Sequence, residues 1–191
     1  MTDLIARFLA LCLLCQTLVS AHAADHYIID PAHTYSSFEY SHWGLSVQRG
    51  RFDQNTGYVD FDQDNKTGKV VLNIDANTVN MGSEEFNQVL RSEAFFDVLH
   101  FPTINFNSSK FIFDQEHLSQ IEGALTIKDV TRPVTLEITQ FNCRFMFLYL
   151  KTACGANGVA RILRSDFNLD KYAPFVGDEL TLYFSVEGIR E

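Results

Sequence analysis

The chain has 191 residues, 46% hydrophobic and 20% charged, with 17 Phe and 7 Tyr. That length suggests one domain, and the aromatic load fits a β-rich fold with bulky interior filling. The formal net charge of -9 argues against nucleic acid as a partner, which needs a basic surface, and against simple electrostatic docking on anionic membranes.

The chain opens with Arg7 before an apolar run at residues 8–19, followed by Ser20-Ala21-His22-Ala23. Ala21 and Ala23 form the small-x-small pattern of a signal-peptidase site. The run is short for a membrane span, so residues 1–23 are read as a signal peptide and residues 24–191 as the mature domain. A periplasmic or secreted location follows. Neither Cys12 nor Cys15 has a small residue before it, so no lipid-modified cysteine is expected. Cleavage leaves Cys143 and Cys154, and an exported pair reads as a disulfide. A redox or metal role has less behind it: the spacing is not Cys-x-x-Cys and no His lies nearby.

After residues 25–31, the first strand is placed at residues 33–43, where Thr34, Ser36, Phe38, Tyr40 and His42 share one row. Residues 44–49 read as a loop. A second strand region, residues 50–62, is interrupted by the turn signal Asn55-Thr56-Gly57. Residues 69–76 put Val70, Leu72, Ile74 and Ala76 on one face. The period then changes: Ser83 caps a helix with Glu84 and Glu85 in its first turn and Phe86, Val89 and Leu90 at helical spacing. Residues 91–99, with Phe95 and Phe96, form a short turn that Pro102 ends. Residues 103–113 are strand, with a shift of phase at Ser108-Ser109 that reads as a bulge.

Residues 121–138 are a hairpin. Ile121, Gly123, Leu125 and Ile127 form one row, Val134, Leu136 and Ile138 the other, and residues 129–133 the turn. Residues 143–154 read as a disulfide-closed loop carrying the apolar run 145–150, either a cover for the fold or a partner surface. Strands at residues 156–163 and 180–188 complete the chain, the last with Leu180, Leu182, Phe184 and Val186 in a row. About eight antiparallel strand regions with one helical insertion indicate an all-β barrel or sandwich, and the pattern does not choose between them.

Catalytic signatures are missing. There is no Gly-x-Ser-x-Gly elbow, no His-Glu-x-x-His and no phosphate-binding glycine loop. His33 and His42 stand near opposite ends of one strand, too far apart for a shared metal. The acidic run at residues 60–64 lacks the Gly and terminal Glu of a calcium loop and reads as a solvated turn. Arg49, Arg51 and Arg91 are candidate anion-binding groups near strand or helix ends.

Motifs in order along the mature chain nevertheless point to one family. They are Ile29-Asp30-Pro31-Ala32-His33-Thr34 with Phe38 and His42, then Gly50-Arg51-Phe52, then residues 90–97 with Phe101-Pro102. Residues 123–134, Arg164-Ser165-Asp166-Phe167 and Gly177-Asp178-Glu179 follow, with Phe141-Asn142-Cys143 and Cys154-Gly155 as in one subgroup. The chain resembles the YceI-like family of exported, lipocalin-like isoprenoid-binding proteins. It departs at Ala124, where Asp is usual, and at Asp129 and Asn168, where Gly is usual. Asp and Asn tolerate positive φ best among the other residues, so the two glycine replacements are compatible with the fold.

The resemblance implies an antiparallel, about eight-stranded barrel with a short helical insertion and an internal apolar tunnel. It implies a long isoprenoid such as a polyprenyl phosphate or ubiquinone as ligand, no cofactor and no catalytic residues. Passing membrane contact and a homodimer are the other partners it brings. On this reading Phe38, Tyr40, Leu72, Ile74, Phe106, Leu125, Leu136, Leu182 and Phe184 line the tunnel. Phe86 covers one end, and His42, Arg51 and Arg91 are head-group candidates. The alternative is an exported interaction or stress-response protein with a filled barrel, acting through residues 145–150.

Overall fold

The structure is a computed structural model in which residues 23–191 are described. The expected signal peptide, but for Ala23, lies outside the described residues. The strands are β1 (Asp25–Ile29), β2 (Tyr35–His42), β3 (Ser46–Phe52), β4 (Asn55–Asp62), β5 (Thr67–Asp75) and β6 (Val79–Asn80). Helix α1 (Glu84–Arg91) follows, then β7 (Thr103–Asp114), β8 (His117–Ile127), β9 (Val130–Met146), β10 (Lys151–Leu163) and β11 (Val176–Arg190).

Eight strands close a ring in the order β1-β4-β5-β7-β8-β9-β10-β11, with β11 pairing back to β1. Every pairing is antiparallel. The choice between barrel and sandwich is thus made by β1, a five-residue strand that the sequence reading left unassigned. Its run is too short to establish a period.

The long β11 serves two partners in succession. Gly188–Arg190 faces β1, while residues 176–185 face β2, which continues into β3 and β6. The barrel therefore forks along β11. One end closes through β1 and β4. The other flares through β2, β3 and β6, where α1 packs against β6. These are called the far and near ends below.

A buried polar clasp holds the fork. Asn55 is fully buried; its amide accepts from Ser36 Oγ at 2.7 Å and donates to the carbonyls of Phe52 at 3.0 Å and Thr34 at 3.4 Å. Thr34 Oγ1 in turn accepts from the Glu187 N–H at 3.0 Å. The expected turn at Asn55-Thr56-Gly57 is absent: these residues begin β4, and the chain breaks at Asp53 and Gln54 instead. Gly57 sits inside the strand at φ 140, where a Cβ would meet the Val71 carbonyl oxygen at 1.9 Å. Turn-type residues are used here for close backbone approach and for satisfying carbonyls that the fork leaves unpaired. Likewise β3 begins at Ser46, so the loop expected at residues 44–49 is much shorter.

The helix forms as its sequence directs, with Glu84 and Glu85 in the first turn and Arg91 in the last. Ser83 occupies the N-cap position but makes no side-chain cap bond. Asn87 instead accepts from the Met81 N–H at 2.7 Å and ties the helix to its entry. The shift of phase in β7 falls between Ser108 and Lys110. There Ser108 Oγ accepts the Val70 N–H at 2.7 Å, a ladder bond made by a side chain.

In the β8–β9 hairpin, Ile127 pairs with Val130, so the turn is Lys128-Asp129 and the expected turn at residues 129–133 is too long. Positive φ falls on Lys128, at 56°, rather than on Asp129. Asn168 does take the left-handed conformation expected of it, at φ 56. Pro133 stands within β9 opposite Ala124, where the other edge of β9 has no partner strand; that is where a strand tolerates proline. The expected loop 143–154 is a hairpin arm. Strands β9 and β10 continue to Met146 and Lys151, Cys143 is directly opposite Cys154 with Cα atoms 4.0 Å apart, and a disulfide joins them. Only residues 147–150 form the tip.

Candidate functional site

The inward rows of the strands meet along the barrel axis. Phe106, Leu125, Leu72, Ile74, Leu136, Phe38 and Phe184 are all buried there. The Phe106 ring packs over Gly123, which makes room for it: a Cβ on that glycine would lie 2.5 Å from the ring. The interior is consequently a chain of apolar spaces, not one open bore.

Three such spaces follow one another. The near-end cavity, about 300 Å³, is enclosed by β2, α1, the turn after α1, residues 164–172 and the start of β11. Phe38, Phe96, Leu169 and Leu180 separate it from a middle space of about 60 Å³. Phe184 divides that from a far-end space of about 80 Å³ bounded by Leu72, Phe106, Phe111, Ile138 and Phe141. Phe61 seals that end with rings 5.3 Å from Phe141 and 6.2 Å from Phe111.

Phe38, Tyr40, His42 and Phe86 border the near-end cavity. Ile74, Leu125 and Leu182 border the middle space, and Leu72, Phe106 and Leu136 the far one. Phe86 is half exposed, at the cavity's outer side. The structure does not bring Arg51 or Arg91 to any of these spaces. Arg51 points outward between inward Gly50 and Phe52, pairs with Asp53 at 2.5 Å and lies over the Tyr35 ring. Arg91 is bound to Glu84 and to the Asn77 carbonyl. Arg49 is paired with Glu39 at 3.1 Å, which holds that carboxyl below its usual range. Strand alternation explains Arg51, and the helix face explains Arg91.

The sequence reading missed much of the near end. Trp43, Phe95, Phe96, Leu169, Tyr172 and Val176 also line it. All but Val176, the first residue of β11, come from turns and irregular chain, where no periodicity marks an inner face. The rim is apolar: Trp43 stacks on Phe175 at 4.6 Å, and both are more than half exposed, as is Tyr172. Arg164 was legible only as part of a motif. It is 5% exposed, and its guanidinium donates to the carbonyls of Gly177, Leu169, Lys171 and Val176. These bonds fold residues 164–177 around the cavity. Desolvation pulls the guanidinium below its ordinary pKa, opposed by Asp178 and Asp170.

Among the described residues no three His, Cys, Asp or Glu come together as a metal site. The interior offers apolar surface, a flared opening and few polar atoms. A space of that kind excludes water and favours apolar occupants.

Known proteins agree with the architecture. The YceI-like domain model matches residues 27–188. A UPF0312 protein of Enterobacter sp. (strain 638) is 34% identical over 177 residues, 92% of this chain and 91% of that protein. Among solved structures, Burkholderia cenocepacia BcnA superposes with a TM-score of 0.70 at 23% identity, covering 83% of this chain and 98% of that one. A Saccharophagus degradans structure described as a polyisoprenoid binding domain implicated in plant cell wall breakdown gives 0.67 at 16% identity, covering 89% of this chain and 100% of that one. At such identities the structural likenesses speak to fold alone. The length and continuity of the sequence match carry the assignment: this chain belongs to the YceI-like domain family.

Proposed function

We propose that the barrel binds a long-chain isoprenoid or similar amphiphilic lipid without chemical change, after export to the periplasm or the exterior. The chain of apolar spaces opening at the near end carries this reading. The Saccharophagus neighbour, described as binding polyisoprenoids, agrees with it. The leader pattern and the Cys143–Cys154 disulfide support export, since such bonds persist in oxidising compartments.

The energetics favour exchange with a membrane over capture from water. Burying a methylene is worth about 0.8 kcal/mol relative to water. A tail of tens of carbons would then exceed the practical ceiling of about 18–21 kcal/mol for non-covalent binding. The working reference is therefore the bilayer, already apolar, and the barrel need only match it as a solvent. Passing membrane contact is part of the proposal. Filling the middle and far spaces requires Phe38, Phe96 and Phe184 to change rotamer, since these rings divide the three spaces.

Organic extraction of the purified protein followed by mass spectrometry tests the reading. One long-chain lipid per chain is expected. Protein that carries no lipid from cells and takes up none when offered isoprenoids would count against it.

A second reading, capture of a protein partner or of a second copy, rests on the β9–β10 tip, where Phe147 is 84% and Leu148 81% exposed. Replacing both with Ser separates the two readings: a docking role loses the partner and keeps the lipid.

A further inference from the structure

Two polar side chains on the near-end cavity are buried, while His42 beside them is partly exposed and Tyr172 lies at the rim. Tyr40 is 9% exposed and Arg164 5%, and both line the space. The Tyr40 ring lies beside Phe38, stacked at 6.4 Å. Its hydroxyl bonds to no group among the described residues, whereas side-chain polar atoms sealed inside the protein all have partners. The hydroxyl therefore faces the cavity. Burial raises the phenol pKa, moderated by the Arg164 charge, so it remains a proton donor at neutral pH.

Arg164 is committed elsewhere. A guanidinium carries five N–H groups, and four hydrogen bonds tie it to carbonyls, with no carboxylate in contact. Its charge strengthens the Tyr40 donor, and one N–H group alone is left to compete for an acceptor. In the inward row leading into and along β2, Thr34 and Ser36 have protein partners for their hydroxyls, whereas Tyr40 has none among the described residues, and a hydroxyl taken from water without a partner is destabilising. Phe would suit an empty or hydrocarbon-filled barrel better.

We propose that Tyr40 reads the head group: its hydroxyl donates to a neutral, carbonyl-type oxygen of a lipid seated in the near-end cavity, with the tail running inward past Phe38 toward Phe184. This rests on the lipid-binding reading and adds the polarity and head class of the ligand. A phosphate fits the site poorly. A desolvated anion needs several donors and a free counter-charge. Arg164 spends four of its five N–H groups on carbonyls, Asp178 and Asp170 offset part of its charge, His42 is the other basic side chain on the lining, and the chain carries -9 overall.

Trp43, the one tryptophan of the chain, lines the same cavity and reports on it. The purified protein is exchanged with a prenyl quinone, a prenyl monophosphate of equal tail length, or squalene, and Trp43 fluorescence is followed. The quinone is expected to quench Trp43, to bind more tightly than the phosphate, and to lose about tenfold in affinity in Tyr40→Phe. Squalene is expected to bind Tyr40→Phe at least as well as the parent, which also shows that the variant is folded. Equal quinone affinity in parent and variant overturns the assignment of Tyr40. Tighter binding of the phosphate overturns the neutral head, and quinone binding without quenching overturns its position. If the parent takes up none of the three, the lipid-binding reading falls as well.

Discussion

Asn55 provides a sharp test of how the fork in the barrel is held. The residue is fully buried, and its amide makes one bond as acceptor, from Ser36, and two as donor, to Phe52 and Thr34. Asn55→Ala removes all of them and strands two carbonyls and a hydroxyl. At about 1 kcal/mol per bond, and more where a buried group is left unpaired, the loss is about 3–4 kcal/mol. Asn55→Asp keeps the shape but cannot donate when ionised, and sets a charge against the same carbonyls. Burial must push that carboxyl above its unfolded value. Stability held by its neutral form is present below the unfolded pKa and lost as pH rises through the raised folded pKa. Urea unfolding followed by circular dichroism at pH 7 and pH 5 should place Asn55→Asp below Asn55→Ala at the higher pH, with the gap narrowing at the lower. Loss of less than about 1 kcal/mol in Asn55→Ala, or an aspartate variant no worse than the alanine one at pH 7, would refute the clasp.

Three further outcomes are expected. Reducing the Cys143–Cys154 bond, which spans a sequence separation of 11, should lower stability by about 3 kcal/mol in the chain-entropy model, read as a shifted urea midpoint with and without reductant; an unmoved midpoint would contradict this. Gly123→Val should cost about 1–3 kcal/mol, because its Cβ would lie 2.5 Å from the Phe106 ring and 2.7 Å from the Asn107 carbonyl oxygen; unfolding at the parental midpoint would show that Phe106 moves freely. Asp30 and His33 hydrogen-bond at 2.7 Å, which lowers the carboxyl pKa and raises that of the imidazole. The His33 contribution is present below the ordinary histidine value and lost as pH rises through its raised one. The Asp30 contribution is present above the ordinary carboxyl value and lost as pH falls through its lowered one. An NMR titration should show His33 above the free histidine value and back at it in Asp30→Asn, and an unshifted His33 in the parent would exclude the pair.

Much of the lining was legible from residue order. Period-two rows placed Phe38, Leu72, Ile74, Phe106, Leu125, Leu136 and Phe184 inside because a strand must send alternate side chains to opposite faces. The bulge at Ser108 announced itself as a break in that period. The same rule sends Arg51 outward between Gly50 and Phe52, so alternation read strictly would have removed it from the head-group candidates.

Other features had no local signature. Asn55 carries a turn-type side chain, yet it sits in a strand because carbonyls from two other segments need its amide. Cys143 and Cys154 face each other because β9 and β10 outrun the neighbouring β8, a fact of strand length and register. Trp43, Phe96 and Leu169 reach the cavity from turns, whose inner side is defined only once the barrel has closed.

The amino-acid order by itself determined that strands would form, which side of each was apolar, and that one amphipathic helix would interrupt them, because these depend on neighbours a few residues apart. Closure through β1, the fork along β11, the division of the interior by Phe38, Phe96 and Phe184, and the meeting of Tyr40 with Arg164 were decided by tertiary structure. They join residues far apart in the chain, and their energies exist only when the whole ring has assembled.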